Sequence, residues 1–326
     1  MKEDNSIIIK GFAPIVIPTL CRFEHFKRCI ESLMECTFSD KTDVYIGLDY
    51  PINESHLIGY NKISNYLQSI ANTHTFKSLN VVRRNQNLGF GKNGNLETLI
   101  REIFTFSDRV IVSEDDNIFA PSFLDFINKG LTIFANDRSV IAINGYRHFY
   151  SIKIENNTFF RQNVDFSAWG FGIWKDRYDL FYNYSSNSKA HILDSLKPQT
   201  WIRLVRNGLN RTLGFISILR KGYCEFTDNS LSVFMGIKNM DVIMPVKTLV
   251  KNEGWDNSGE HCKDNLDLAF LHNNQILYEN QIFNFVGSGF EHYNQNKKIY
   301  RTQSYGKVSY LSLFKKIINK VLNIGK

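Results

Sequence analysis

Apolar positions along this chain keep two rhythms in turn, and their alternation predicts the architecture. Residues 13–20 (APIVIPTL) form a short apolar β-type run. In the following FEHFKRCIESLMEC, residues Phe23, Phe26, Cys29, Ile30, Leu33 and Met34 recur at helical spacing. The couple repeats. DVYIGLD (43–49) precedes a helix around Ser55–Ile70, and LNVVRR (79–84) leads through NQNLGFGKNGN to the helix LETLIREIF. RVIV (109–112) precedes the helix SFLDFINKGLTIFAN, and SVIAINGY (139–146) closes this half as a fifth strand. Strands alternating with helices predict a parallel sheet covered on both faces, with ligands at the carboxyl ends of its strands.

After residue 147 the rhythm changes. Residues 161–184 are dense in aromatics and glycine, and Trp169-Gly170-Phe171-Gly172 is expected to be a loop beside a ligand or a plain aromatic core segment. Residues 199–221 are expected to form one helix. In GYCEFTDNSLSVFMGIKN, Asp228 stands at a plausible N-cap of the next helix, with Glu225 just before it. MDVIMPVKTLV is expected as an apolar strand, followed by a glycine-bearing loop (Gly254, Gly259) that ends at His261.

Composition narrows the class. The chain has 326 residues, 43% hydrophobic and 22% charged, as in a soluble globular protein. Its five cysteines are odd in number and lack CxxC spacing, which suits reduced thiols in a cytosolic protein. The N-terminus has Glu3 and Asp4 where a signal peptide wants positive charge. Its apolar run is broken by Lys10, Pro14 and Pro18, so neither a secretion signal nor a membrane span is expected there. The net charge is +7, but residues 297–326 hold eight basic residues and no acid. The remaining 31 Lys and Arg face 32 acids, so residues 1–296 carry −1. A nucleic-acid-binding body is thereby disfavoured. Within the basic tail, Leu311, Phe314, Ile317, Ile318, Val321 and Leu322 share a helical face. Such a helix over 308–326 suits an anionic membrane surface, and equally suits docking on the body or on a second subunit.

The candidate chemistry gathers at strand ends. Glu114, Asp115 and Asp116 follow the fourth strand, where adjacent like charges call for a cation, sugar hydroxyls or open solvent. A strand delivering an acidic cluster is a common holder of Mg²⁺ or Mn²⁺; a solvated acidic turn is the alternative. Thr19, Arg22, Asp49 and the 85–95 loop with Lys92 occupy the neighbouring strand ends. Gly89-Phe-Gly91-Lys-Asn-Gly94 also matches GxGxxG, but it falls on the third strand–helix unit, and six residues separate Val82 from its first glycine.

With these motifs in view, the chain resembles GT-A-fold glycosyltransferases. It is most similar to inverting, family 2-like bacterial enzymes related to the N-acetylglucosaminyltransferase I group, over roughly residues 12–265. The resemblance implies a Rossmann-like, mostly parallel sheet with helices on both faces. It implies one catalytic domain over 1–295, with a donor-binding half (about 12–147) and an acceptor-binding half (about 148–295), and a basic amphipathic tail over 296–326. It places Thr19, Arg22 and Asp49 on the nucleotide base, Lys92 near the donor, and Glu114 and Asp115 toward ribose and donor sugar. Asp116 becomes a Mn²⁺ or Mg²⁺ ligand, and His261 falls where a late histidine joins the metal or the diphosphate. Trp169 and Gly170 fall in the glycine loop between donor and acceptor, and Asp228 in the place of the base.

Two departures stand: EDD is not a strict DxD, and FTDNS leaves Glu225 as a rival base. The implied activity is transfer of a hexosyl or N-acetylhexosaminyl group from a nucleotide-diphosphate sugar to a glycan or lipid-linked acceptor, in surface polysaccharide synthesis. The implied location is cytoplasmic, including the inner face of the cell membrane. The rival classes are an NAD-type oxidoreductase using GxGxxG, a nucleotidyltransferase on a similar sheet, and a non-catalytic glycan-binding module.

Overall fold

Strand β1 (Ile15–Thr19) lies between β2 (Asp43–Leu48) and β4 (Arg109–Val112), parallel to both. β3 (Ser78–Arg83) pairs with β2 in parallel and forms one edge of the sheet. The chain therefore runs outward from β1 through β2 to β3, then returns to the other side of β1 as β4. That reversal opens a crevice at the carboxyl ends of β1 and β4, the usual ligand position in an open α/β sheet. These features come from a computed structural model that describes residues 9, 11–148, 158–256, 275–277, 283 and 285.

Beyond β4 the sheet continues with strands β8 (Phe171–Trp174), β6 (Val140–Asn144), β9 (Asp241–Pro245) and β7 (Phe159–Gln162). β6 and β9 are parallel, whereas β8 runs antiparallel to β4 and β6, and β7 antiparallel to β9. The eight-stranded sheet is thus mostly parallel, as expected, with an antiparallel strand inserted at its centre. The expected loop at 169–172 is corrected in part. Phe171 and Gly172 belong to β8, where a side chain at position 172 would meet Ile127 Cγ2 at 2.6 Å. Glycine there lets a helix lie directly on the sheet.

The helix bounds follow the periodicity. Helices α1 (Phe23–Met34), α2 (Glu54–Ile70) and α4 (Phe123–Ile133) bury Phe26, Ile30, Ile63, Phe126 and Ile127 against one face. Helix α3 (Asn95–Ile103) covers the other with Leu99 and Ile103, helped by α5 (Lys175–Ser185) through Tyr178 and Phe181. Strand residues alternate accordingly: Ile15 and Ile17 join the first layer, and Val16 the second.

The single helix expected over 199–221 is two. After α6 (Ser188–Ser195), α7 (Pro198–Arg206) stops at Asn207-Gly208 and α8 (Leu209–Lys221) begins. Gly208 has φ +113°, which a non-glycine residue resists, and Asn207 Nδ2 donates to Asn163 O at 2.7 Å. α9 (Asp228–Lys238) is capped by Thr227, whose hydroxyl accepts from Ser230 N, and not by Asp228. Two short strands also escaped the periodicity. β5 (Asn117–Phe119) and β10 (Val250–Asn252) form an antiparallel ribbon directly after the acidic cluster.

His261, Gly259 and the basic tail 296–326 lie outside the described residues. Among the described residues no helix is long and apolar enough to cross a membrane.

α2 holds the end of β1 in place through a close backbone approach: a Cβ at Gly59 would stand 1.8 Å from the Cys21 carbonyl oxygen. Gly59→Ala is therefore expected to cost about 2–3 kcal/mol of stability, since neither the helix nor a backbone carbonyl yields cheaply. The check is a lower denaturant midpoint at unchanged slope; an unchanged midpoint would contradict this packing.

Candidate active site at the crevice between β1 and β4

β1 ends at Thr19, and Arg22 occupies the position just before α1. β4 ends at Val112, and the turn that follows carries Glu114, Asp115 and Asp116 before β5 begins. Because β1 and β4 are neighbours, the two ends meet. Thr19 Oγ1 donates to Asp115 Oδ2 at 2.9 Å. Arg22 divides its fork between two carboxylates, bonding Asp115 Oδ1 through Nη2 and Asp116 Oδ2 through Nη1 at 2.8 Å. A guanidinium at a helix N-terminus faces the positive end of the helix dipole, so it needs such anionic partners. Burial works against the charge of Arg22, but Asp115 and Asp116 more than offset it and hold its pKa above the ordinary value.

The ribbon β5–β10 fixes the acidic turn from the other side. Asn252 Nδ2 donates to Asp116 Oδ1 at 2.6 Å and to Asn117 Oδ1 at 3.1 Å, and Glu253 N donates to Asp116 O at 2.8 Å. A Cβ on Gly254 would stand 2.2 Å from Asp116 Oδ2, so glycine is required where the backbone presses on that carboxylate. The segment is fastened to α1 by Arg28–Glu253 at 2.9 Å and His25–Asp256 at 3.1 Å. Asn252, Glu253 and Gly254 are residues that sequence reasoning missed as a set. Gly254 alone gave a signal, as a loop glycine.

The three acids differ in how they are satisfied. Asp115 has Thr19 and Arg22; Asp116 has Arg22 and Asn252. For the Glu114 carboxylate there is no hydrogen-bond donor among the described residues. Burial, then the charges of Asp116, Asp228 and Asp115, push its pKa well up, against the pull of Arg22. Burial also raises Asp115, with Arg22 opposing.

Asp228 faces this cluster from the start of α9. Freed from capping by Thr227, its Oδ2 accepts from Ala168 N at 3.0 Å. Burial raises its pKa, and that backbone donor and the charges of His148 and Arg211 act the other way. His148 is a further residue without a sequence signal. Burial lowers its pKa, opposed by Asp165 and Asp228. Glu225 is elsewhere: it is half exposed and paired with Lys221 at 2.6 Å.

The remaining expected site residues divide. Trp169 packs edge-on against Tyr146 (4.6 Å) and Trp255 (6.4 Å), next to Gly170 with φ +70°. Asp49 uses its carboxylate to hold the glycine loop: Oδ1 accepts from Tyr50 N and Leu88 N, and Oδ2 from Gly89 N, each at 2.9 Å. Lys92 leaves the crevice, bonds Ser186 Oγ and stands 5.2 Å over the Tyr182 ring. It shares a cavity of about 440 Å³ with Phe90, Tyr223, Glu225 and Thr227.

No protein-family model and no curated protein matches this sequence. Among solved structures the fold is similar to a mannosyltransferase, PcManGT from Pyrobaculum calidifontis, in complex with GDP-Man and Mn²⁺. The identity is 13%, over 50% of this chain and 44% of that one, at a TM-score of 0.36. It is similar to S. aureus TarS 1-349 in complex with UDP-GlcNAc at 13% identity, over 45% and 38%, TM-score 0.30. It is similar to the WbbM bifunctional glycosyltransferase apo structure at 10%, over 43% and 24%, TM-score 0.28. The chain spans less than half the length of each of these proteins, and at such scores the likeness carries no inference about chemistry.

The unpartnered Glu114 generates a stability prediction. Its folded pKa is raised above the ordinary 4.5. Its protonated form is therefore favoured by folding, and stability falls as pH rises from 4.5 toward the folded value. Glu114→Gln removes that loss. The variant is expected to be more stable than the parent at pH 7.5, with the difference closing as pH falls to 4.5. Chemical denaturation across this range checks it, and a variant less stable at pH 7.5 would refute it.

Proposed function

We propose that this chain is a glycosyltransferase that moves a sugar from a nucleotide-diphosphate sugar to an acceptor hydroxyl. The observation that carries the reading is the carboxylate cluster at the β1–β4 crevice: three acids backed by one guanidinium, with Asp228 facing them across the gap. Such a cluster retains negative charge that a cation or sugar hydroxyls would compensate. The crevice is also where an open α/β sheet takes its ligand.

A divalent metal is part of the proposal, and its fit can be tested on the donor set. Among the described residues no three His, Cys, Asp or Glu side chains converge as a complete ligand set. Mg²⁺ and Mn²⁺ sites of the phosphate-handling kind need less: one or two carboxylates, completed by phosphate oxygens and water. Asp116 and the unpartnered Glu114 meet that requirement. When bound, the ion would neutralise charge on the leaving diphosphate.

The chain's own residues supply the rest. Thr19 and Arg22 hold Asp115 at the donor side, and Asp49 shapes the loop 88–89 that borders it. Trp169 offers an aromatic face beside Gly170. Asp228 takes the proton from the acceptor hydroxyl as it attacks, and attack from the face opposite the diphosphate gives inversion. Burial raises its pKa above the ordinary carboxylate value, the direction that makes it a stronger base. Glu225 is half exposed and ion-paired with Lys221, away from the acidic turn.

The dinucleotide alternative finds less support. A pyrophosphate needs free amides in the glycine loop, yet Leu88 and Gly89 already donate to Asp49, and the loop follows the edge strand β3.

A panel of nucleotide sugars with Mn²⁺, scored for nucleoside diphosphate release, tests the reading. Release from at least one donor is expected. Binding of NAD alone, or release of pyrophosphate, would refute it. Within an active assay, Asp228→Asn is expected to lower turnover about 10²–10⁴-fold, and Glu225→Gln to stay within a few-fold. The reverse pattern would move the base to Glu225.

A further inference from the structure

We infer that Arg22 is an exchangeable counter-cation: in the donor-free protein it closes Asp115 and Asp116 to a divalent ion, so that ion and nucleoside diphosphate enter the crevice together. This rests on the glycosyltransferase reading above and deepens it into an order of binding.

The geometry around Asp116 carries the inference. Its Oδ2 is bounded by Arg22 Nη1 at 2.8 Å and by the Gly254 backbone, which leaves no room for even a Cβ. Its Oδ1 is held by Asn252 at 2.6 Å. Asp115 is likewise occupied, by Thr19 and by the other nitrogen of the same guanidinium. A cation approaching either acid must therefore displace Arg22, and two positive charges cannot share one carboxylate edge cheaply.

Arg22 is able to leave. A quarter of its side chain is exposed, whereas Asp115 and Asp116 are nearly covered. A planar guanidinium matches a phosphate as well as it matches a carboxylate, bidentate in each case. Charge balance then couples the two ligands. Without donor, three acids and one guanidinium leave the turn at −2 if all are ionised. Once a diphosphate draws Arg22 away, Asp115 and Asp116 lose their compensation, and a divalent ion restores it. Each ligand removes the obstacle to the other, so the coupling is reciprocal.

The test follows free Mn²⁺ by electron paramagnetic resonance during titration into the full chain, alone and with UDP or GDP. For the parent protein, Mn²⁺ is expected to bind about tenfold or more tightly with one of the nucleotides than without. Arg22→Met is expected to raise nucleotide-free Mn²⁺ affinity by about tenfold and to shrink the nucleotide effect. Arg22→Lys keeps a charge but lacks the planar fork that spans the two carboxylates, so it should fall between them; it carries the test if the methionine variant fails to fold. Equal Mn²⁺ affinity with and without both nucleotides in the parent, or unchanged nucleotide-free affinity in the variants, overturns the inference and leaves the glycosyltransferase reading standing. A parent protein that binds neither nucleotide in the presence of Mn²⁺ overturns both.

Discussion

The site depends on one interaction, the guanidinium of Arg22 shared between Asp115 and Asp116. Two adjacent carboxylates, nearly covered by protein, would repel each other and lose solvation if left alone. The pair also ties the end of β1 to the end of β4, which fixes the width of the crevice between them. Breaking such a pair from one side leaves an uncompensated charge, and that costs more than the pair contributes when intact. The same interaction thus holds the acidic turn against the end of β1.

Around that core, the fold uses backbone where a conventional site would use side chains. Asp116 is gripped by the amide of Glu253, the side chain of Asn252 and the bare backbone of Gly254, from the end of β10 and the two residues after it. β10 is a three-residue strand, and its partner β5 is no longer. A ribbon so short has little stability of its own. It persists because Phe119 and Val250 belong to the layer under α1 and α4. The acidic turn is therefore positioned by the main core, through a ribbon that transmits that rigidity.

How much of this was legible in the sequence follows from the range of each interaction. β1 to β4 and α1 to α4 could be located because each element carries its own period: alternation or continuous burial in strands, i to i+3 and i+4 in helices. The neighbouring strand ends alone bring Thr19, Arg22 and Glu114–Asp116 to one edge. β5, β8 and β10 were not legible. Three or four residues give no period, and β8 is inserted antiparallel by pairings of wide sequence separation. The break at Asn207-Gly208 was visible as a dipeptide, but the apolar spacing on both sides ran through it. Asn252 has no local signature at all, since its function lies in reaching Asp116 across 136 positions.

Two residues show how position and role separate. Lys92 stands in a glycine loop at a strand end, where charge and spacing suggest a diphosphate contact, yet its ammonium turns to Ser186 and Tyr182. Asp228 stands one residue after a better cap. With Thr227 already accepting from Ser230 N, a second capping carboxylate is redundant, and that redundancy releases Asp228 toward Ala168 and the acidic turn. Thr-Asp at a helix start is ambiguous in one dimension, because either residue can cap. Three dimensions resolve it: the hydroxyl satisfies the helix, and the carboxylate is left raised in pKa, opposite a glutamate that has no hydrogen-bond donor among the described residues.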